Sequence, residues 1–257
     1  MTKIIRHQLT LASSIGHLRI AILADPHVGW PLMPLWRLRK IVSEINALKP
    51  DIIFMLGDYR ARYFLRTTSI SIELVAAELA NLEAPLGVYG VLGNHDWWDD
   101  KDTQKRGHGP CNTLAIFRDA GLIMLENQNV VIDGRFNLVG LGDQCAFGRT
   151  TEFGVDDIEF AMRGINPYLP TIMLAHEPDI FESLSAPIDL TISGHTHGGQ
   201  LNLFGWTPIA PSALSRKYIY GHYIKEKRNL IVSAGLGFSG LPLRIGRPSE
   251  ITIVDIS

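Results

Sequence analysis

Five short clusters of Asp, Asn and His stand out in the chain as possible metal ligands. Carboxylate, carboxamide and imidazole groups without thiolate suit divalent manganese, iron or zinc. Taken singly, each cluster has an ordinary structural explanation, such as a surface turn, a helix N-cap or a hydrogen-bonded buried histidine. Their joint occurrence in one chain favours a metal site. The clusters are Asp25-Pro-His27, Gly57-Asp58, Gly93-Asn94-His95-Asp96, His176 and Gly194-His195-Thr196-His197.

Each cluster lies at the end of a short apolar segment. A continuous apolar run of this length is typical of a β-strand that is buried on both faces. Because α/β sheets place their chemistry at the carboxyl ends of such strands, we predict that the five clusters meet at one edge of the fold. The apolar segments are Leu18–Ala24, Ile52–Leu56, Gly87–Leu92, Thr171–Ala175 and Leu190–Ser193.

The spacing within the clusters supports shared ligation. Side chains two residues apart on a strand project to the same face. Asp25 and His27 are therefore predicted to bind one ion together, and the same geometry applies to His195 and His197. The third cluster is more specific than the others, because it offers an amide oxygen, an imidazole and a carboxylate in consecutive positions.

The segments between the clusters predict a mixed α/β fold. Helical spacing of apolar residues predicts one helix over Pro34–Lys49 and a second over Ile72–Leu82. The dipeptide Asp133-Gly134 predicts a hairpin turn. The last part of the chain predicts mostly strands, including Gln200–Leu203 and Leu241–Ile245. This strand content exceeds one doubly wound sheet, so we predict two sheets packed face to face with helices outside.

Length and composition narrow the classes of protein to which the chain can belong. The 257 residues contain no long Pro-, Ser- or Gly-rich linker, so we predict one domain over residues 1–257. A net charge of −2 without a basic block weighs against strong nucleic-acid binding. The cysteines Cys111 and Cys145 do not require a disulfide, and a reducing compartment is the simpler interpretation. No signal peptide and no apolar stretch of about 20 residues is recognisable, so the expected location is cytoplasmic.

Together, the clusters resemble the complete motif set of the calcineurin-like metallophosphoesterases, over residues 18 to 200. The form Gly-His-Thr-His-Gly-Gly-Gln at 194–200 is similar to the bacterial YkuE/YaeI-like phosphoesterases. The tail with Gly235-Leu-Gly and Arg247-Pro-Ser-Glu250 is similar to the same subgroup. The resemblance implies a four-layer α/β/β/α sandwich, in which two mixed β-sheets are flanked by helices.

The resemblance also implies a centre with two divalent metal ions, for which manganese, iron and zinc fit the donors best. It implies that Asp58 bridges the ions, that His95 faces the substrate without binding metal, and that Asp96 orients His95. A metal-bridging hydroxide would attack phosphorus. The first ion would be held by Asp25, His27 and His197, and the second by Asn94, His176 and His195.

The reaction implied by this resemblance is hydrolysis of a phosphodiester or pyrophosphate bond. A phosphomonoesterase of the same fold is the first alternative. A non-catalytic binding scaffold is the second alternative, and the presence of His95 and of every metal position weighs against it. No partner protein is predicted.

Large apolar residues beside the first and third clusters bear on the substrate. They either cap the core or form an apolar rim suited to an acyl chain or a membrane surface. Some members of the family hydrolyse lipid-linked pyrophosphates. A lipid-linked or nucleotide-lipid substrate, with peripheral membrane contact, is therefore one hypothesis. The residues are Trp30, Leu32, Met33, Trp36, Trp97 and Trp98.

The continuation after the second cluster departs from the family pattern. Many members carry another acidic residue or an arginine there, whereas this chain continues Tyr59-Arg60-Ala61-Arg62. We expect Arg60 and Arg62 to be solvated surface residues. The alternative is that one of them contacts a substrate phosphate as a fork donor.

Overall fold

The computed structural model describes residues 2–11, 15–61, 68–185 and 187–257. The strands in chain order are β1 (Lys3–Leu9), β2 (Leu18–Leu23), β3 (Gly29–Trp30), β4 (Ile52–Leu56), β5 (Thr68–Ser69), β6 (Val88–Val91), β7 (Ile123–Met124), β8 (Gln128–Ile132), β9 (Phe136–Gly140), β10 (Thr171–Leu174), β11 (Leu190–Ser193), β12 (Gly221–Lys225), β13 (Arg228–Val232) and β14 (Glu250–Ile256). The helices are α1 (Leu35–Ala47), α2 (Ile72–Leu79), α3 (Asn94–Trp98), α4 (Lys101–Arg106), α5 (Asn112–Asp119), α6 (Ile158–Ala161), α7 (Ile180–Ser183) and α8 (Ala213–Lys217).

Two six-stranded sheets form the centre of the described part of the chain. The first has the order β1-β14-β2-β4-β6-β7, and the second has the order β12-β13-β11-β10-β9-β8. In the first sheet, β2, β4, β6 and β7 are parallel, and β14 runs antiparallel to β2. In the second sheet, β9, β10, β11 and β13 are parallel, and both edge strands are antiparallel to their neighbours. Both sheets are therefore mixed.

The two faces of the central strands are buried against different layers. On β2, Ile20 and Ile22 belong to the apolar layer between the sheets, which also contains Ile192 of β11. Ala21 and Leu23 face the other way and pack in the cluster that includes helix α1. Because both faces are buried, the strands are apolar throughout. The four-layer sandwich predicted from the sequence is thus confirmed.

The long helices follow their apolar spacing. Leu38, Ile41, Val42 and Ile45 are buried on one side of α1, and Pro34 occupies its N-cap position. Helix α2 begins after Ser71, whose hydroxyl accepts a hydrogen bond from the backbone N–H of the third helical residue. The predicted helix over Pro34–Lys49 and the hairpin at Asp133-Gly134 are confirmed within one or two residues.

Two predicted strands are wrong. Gln200–Leu203 and Leu241–Ile245 do not form strands; their backbones pair only in isolated bridges between Leu201 and Ile245 or Gly246 among the described residues. Their apolar residues alternate as they would on a strand, but the segments leave the second sheet and run along the surface. The turn at His197–Gly199 directs the chain away from the sheet.

Two further sequence expectations concern cysteines and membrane spans. Cys111 and Cys145 are both buried free thiols. Among the described residues, no helix combines the length and the apolar character that crossing a bilayer requires.

Candidate metal centre

The five clusters converge where β2, β4, β6, β10 and β11 end. The seven side chains predicted to bind metal lie together there, six of them buried and His195 half-buried. They divide into two groups that share Asp58. The geometry of each group follows from the strand ends that carry it.

The first group contains Asp25, His27, Asp58 and His197. One donor atom from each lies within 4.8 Å of the others. The Nε2 atoms of His27 and His197 are 3.1 Å apart, and the Nε2 atom of His27 is 3.3 Å from Oδ2 of Asp58. These residues are the set that the family resemblance assigns to the first ion, together with the bridging carboxylate.

The second group contains Asn94, His176 and His195. The Oδ1 atom of Asn94 lies 3.0 Å from Nδ1 of His195. The Nε2 atom of His176 lies 3.5 Å from Oδ1 of Asp58. The two carboxylate oxygens of Asp58 therefore face different groups, one toward His27 and the other toward His176.

Glu177 joins the second group and was missed by sequence reasoning. Its carboxylate lies within 4.8 Å of donor atoms of His176 and His195. The residue is buried; its Oε2 accepts the backbone N–H of Gln144, and its Oε1 has no hydrogen bond among the described residues. The available signal was its position directly after His176. A carboxylate in this environment is a further possible metal ligand.

Hydrogen bonds to the far nitrogens orient two of the imidazoles. The Nδ1 atom of His176 lies 2.5 Å from the carbonyl oxygen of Leu56, so Nδ1–H donates there and Nε2 is the ring nitrogen that faces Asp58. This Nε2 atom is buried and has no hydrogen bond among the described residues, which fits a metal ligand. The Nδ1 atom of His197 instead accepts from Arg244, 47 residues further along the chain.

The backbone at the strand ends aims these side chains into one pocket. Five of the candidate ligands have φ values between 43° and 65°, in the left-handed region that non-glycine residues rarely adopt. Such conformations persist where the surrounding structure enforces them, and they cluster at functional sites. The five residues are Asp25, His27, Asp58, His195 and His197.

Two glycines allow the second and third clusters to approach each other. A Cβ atom on Gly57 would lie 2.3 Å from the backbone nitrogen of Gly93. A Cβ atom on Gly93 would lie 2.5 Å from Oδ1 of Asp58. Only glycine fits at either position, because each backbone lies directly against the other strand end.

His95 and Asp96 follow Asn94 but have different surroundings. The backbone N–H of His95 donates to Oδ1 of Asp58 at 2.9 Å, and its half-buried ring lies 5.0 Å from the ring of His27. The carboxylate of Asp96 is buried and accepts three backbone N–H groups, those of Gly93, Asp58 and Tyr59. Asp96 therefore holds the loop that carries Asp58. Its direct orientation of the His95 ring stays a prediction.

The protein groups alone divide the imidazoles into two protonation classes. Burial, reinforced by His176, lowers the pKa of His195 to about 3, and burial with His27 and Arg244 holds the pKa of His197 well below its usual value. Burial would also lower the pKa of His176, but the carboxylate of Asp58 outweighs it and raises that pKa well above its usual value. His195 and His197 are thus neutral imidazoles, the form that binds metal.

The carboxylates of the first group also differ. Burial raises the pKa of Asp25 to about 6, against the opposing effect of His176. Burial would raise the pKa of Asp58 too, but His176 and His95 outweigh it and hold that pKa well below the usual range. Asp58 is therefore the carboxylate that stays ionised most firmly at the point where the two groups meet.

A cleft of about 1220 Å³ opens over the centre, and Asp58, Asn94, His95 and His195 form part of its floor. Half-buried Trp98 and Phe147 and exposed Arg149 lie on its walls, as do Ile209, Pro211 and Leu214. The cleft thus combines a polar floor with partly apolar walls.

The tryptophans predicted near the site fall into three environments. Trp97 is fully buried in the core, as is Met33, whereas Trp98 lines the cleft. Trp30 and Trp36 are 55% and 62% exposed but are not among the described residues that line the cleft. The other apolar side chains on the walls, Phe147, Ile209, Pro211 and Leu214, lie in segments to which the sequence assigned no role.

The structure describes only one of the two arginines that follow the second cluster. Arg60 is half-buried, and its Nε atom forms an ion pair with Asp99 at 3.1 Å, so it is neither freely solvated nor directed at a phosphate. Arg62 lies outside the described residues.

Two mixed sheets between helical layers, with Asp and His side chains gathered at the strand ends, define a metallophosphoesterase. The model of the calcineurin-like phosphoesterase family matches residues 18–199, and the chain belongs to this family.

Relatives span bacteria and animals. An uncharacterized metallophosphoesterase of Helicobacter pylori is 33% identical over 237 residues, which are 91% of this chain and 58% of the relative. A transmembrane protein with metallophosphoesterase domain from Danio rerio is 31% identical over 254 residues, which cover 94% of this chain and 54% of the relative. The uncharacterized metallophosphoesterase YkuE of Bacillus subtilis is 29% identical, over 91% of this chain and 77% of its own. The chain thus spans little more than half the length of several relatives.

Proposed function

We propose that this chain is a dinuclear metal-dependent phosphodiesterase that hydrolyses phosphodiester or pyrophosphate bonds. The observation that carries the proposal is the position of Asp58, whose two oxygens face His27 at 3.3 Å and His176 at 3.5 Å. A carboxylate shared by two buried groups of nitrogen and oxygen donors suits two divalent ions, with manganese, iron and zinc as the best matches.

The protein groups around the pocket fit phosphoryl transfer. Two divalent ions held by these donor groups and the shared carboxylate of Asp58 would supply Lewis acidity and would activate water for attack at phosphorus. Asp25 and Asp58 offset only part of the cationic charge, so the pocket retains an attraction for a phosphate oxyanion. His95, beside the shared carboxylate and open to the cleft, donates a proton to a phosphoryl or leaving oxygen.

The walls of the cleft support a proposal for the substrate class. Trp98 and Phe147 on one part and Ile209 and Leu214 on another suit a phosphoester with an apolar group attached. Arg149 offers a cation near Trp98 for a second phosphate or a headgroup. We therefore propose a lipid-linked or nucleotide-lipid phosphodiester at the cytoplasmic face of a membrane. Two relatives are named for a transmembrane protein with this domain, which is compatible with membrane substrates.

The test compares metal-stripped protein with protein reloaded with manganese, zinc or iron. Each form is assayed on an aryl phosphodiester, an aryl phosphomonoester and a lipid-linked pyrophosphate. We expect metal-dependent turnover of diesters above monoesters, with the lipid-linked substrate preferred. Faster monoester turnover would instead indicate a phosphomonoesterase.

Two variants control this assay. Asp58→Asn removes the shared carboxylate charge and is expected to abolish turnover. His95→Ala leaves the ligands in place and is expected to slow it. Full activity in the metal-stripped protein or in Asp58→Asn would overturn the proposal, and equal activity in His95→Ala would point to a different site or a contaminant.

A further inference from the structure

A small β-hairpin projects beside the cleft. Leu203 and Trp206 exchange backbone hydrogen bonds of 2.9 and 3.0 Å, and Phe204 and Gly205 form the turn between them. Both turn residues have positive φ, 53° for Phe204 and 94° for Gly205, as a type I′ turn requires. Phenylalanine is an unusual residue for this position, where Asn, Asp or Gly is favoured.

The hairpin displays large apolar side chains to solvent. Phe204 is 109% exposed and Trp206 is 63% exposed. A second exposed apolar segment lies alongside, because the backbone N–H of Asn202 donates to the carbonyl of Ile245 at 2.7 Å. Together they form the apolar ridge, which consists of Leu203, Phe204, Trp206, Leu241, Leu243 and Ile245.

Polar side chains hold the ridge in place. The amide of Gln200 donates to the carbonyls of Ser239 and Leu241 and accepts the N–H of Ser239. The guanidinium of Arg216 donates to the carbonyl of Thr207 at 2.9 Å. The conformation of the ridge is therefore fixed by specific hydrogen bonds.

The segments that carry the ridge contain no acidic residue of their own. Residues 198–220 and 233–249 contain four basic residues and no Asp or Glu, although the whole chain has a net charge of −2. Lys217 pairs with Glu182 at 2.8 Å, whereas Arg216 is exposed beside the hairpin. The other two, Arg244 and Arg247, are half-buried: Arg244 donates to His197 and to the carbonyls of Gly237 and Ala234, and Arg247 lies over the ring of Tyr220. Aromatic side chains beside the exposed guanidinium of Arg216 match the interface of an anionic lipid bilayer, where rings enter the headgroup layer and cations face lipid phosphates.

The ridge is continuous with the rim of the cleft. Ile209, in the segment that follows the hairpin, lines the cleft, and so does Gly240, which immediately precedes Leu241. A surface that rests on the ridge would therefore lie next to the opening over the metal centre.

We propose that the apolar ridge docks this protein on an anionic phospholipid bilayer and places the cleft at the height of lipid headgroups. The catalytic consequence, access to a phosphoester at the membrane surface, rests on the proposed function, whereas the docking itself does not. A second copy of this chain and a partner protein are the competing occupants.

The test measures cosedimentation of the full chain with vesicles of phosphatidylcholine, with and without phosphatidylglycerol. We expect binding to the anionic vesicles that weakens as salt is raised. The double substitution Phe204→Ser and Trp206→Ser should weaken partitioning by more than about tenfold, because two large apolar side chains no longer enter the bilayer. Tyr168→Ser is the matched control: it removes an aromatic ring that is 92% exposed before β10, at the end of the strand opposite the cleft, and should leave binding unchanged.

Brominated lipids provide a second measurement. They should quench the tryptophan emission of the wild type more than that of Trp206→Phe. Wild-type protein that ignores anionic vesicles, or a double variant that binds them as the wild type does, would overturn the proposal. A concentration-dependent dimer that the double substitution abolishes, without vesicle binding, would assign the ridge to self-association instead.

Phosphoesterase assays distinguish failure of the docking proposal from failure of the proposed function. The double variant should hydrolyse a water-soluble aryl diester at the wild-type rate, because neither residue lines the cleft. Vesicle binding with no hydrolysis of any phosphoester would leave the docking surface standing and remove the proposed function.

Discussion

The Nε2 atoms of His27 and His197 face each other at 3.1 Å inside a buried pocket. Two imidazole nitrogens at this distance share one proton or direct their lone pairs at a common cation. The carboxylate of Asp58 lies 3.3 Å from the Nε2 atom of His27, which supplies the negative charge that either a proton or a metal ion requires. Protons and metal ions therefore compete for this position.

This competition predicts that metal binding tightens as pH rises. Burial opposes protonation of His27 and His176, but the carboxylate of Asp58 outweighs it and raises the pKa of both. A metal ion must displace these protons, so lowering the pH weakens binding and binding releases protons. We expect the manganese affinity to be at least about tenfold higher near pH 8 than near pH 6. Calorimetry in buffers of different ionisation enthalpy measures both effects, and an affinity that is independent of pH would contradict them.

His95→Ala should reduce turnover without removing metal. The ring of His95 lies beside the ligands, in the cleft, but belongs to neither donor group. Loss of a general acid lowers kcat by about 10²–10⁴-fold. Metal content by mass spectrometry should stay at the wild-type level. His108→Ala, which removes an exposed imidazole on the loop after α4, should leave kcat unchanged; loss of metal in His95→Ala would show that His95 is a ligand.

Asp96→Ala should destabilise the protein more than a surface substitution does. It leaves the backbone N–H groups of Gly93, Asp58 and Tyr59 without their acceptor in a buried setting. Unsatisfied buried donors cost about 1–3 kcal/mol each before relaxation, so we expect a total loss of about 2–4 kcal/mol in the free energy of unfolding. Urea denaturation measures the loss. Asp119→Ala, at an exposed position on α5, should change stability by less than about 0.5 kcal/mol.

Glu177→Gln tests whether this carboxylate supports the second group. Its position within 4.8 Å of donor atoms of His176 and His195 predicts weaker metal binding when its charge is removed. We expect the affinity of the weaker-binding ion to fall by about tenfold, with the fold unchanged. Titration with manganese followed by electron paramagnetic resonance reports this directly. Glu159→Gln, on the exposed side of α6, is the control, and equal titrations for both variants would exclude a role for Glu177.

The strand ends and their ligand-type residues could be predicted from the sequence because the apolar pattern of each strand lies directly beside the residues of the candidate metal site. An apolar run buried on both faces identifies each strand, and the polar cluster marks its carboxyl end. Strand β1 is different: charged and polar residues interrupt its apolar ones because it lies at a sheet edge. Its sequence pattern therefore does not identify it as a strand until its pairing with β14 is known.

Contacts between segments that are distant in the chain could not be predicted from the sequence. Gln200–Leu203 and Leu241–Ile245 alternate as strands do, but neither joins a sheet in the part of the chain that the structure describes, and only the folded chain shows that they form an exposed ridge. The approach of Arg244 to His197 spans 47 residues and follows no spacing rule. The three backbone hydrogen bonds of Asp96 could not be predicted from the motif either. The motif suggested instead that Asp96 interacts with its neighbour His95.

The central claim is a two-metal centre in which Asp58 is shared. Anomalous diffraction from crystals grown with manganese tests it most directly. The predicted result is two manganese sites in each chain, one contacted by His27 and His197, the other by His176 and His195, with an oxygen of Asp58 on each. A single site, or two sites of which only one contacts Asp58, would contradict the account.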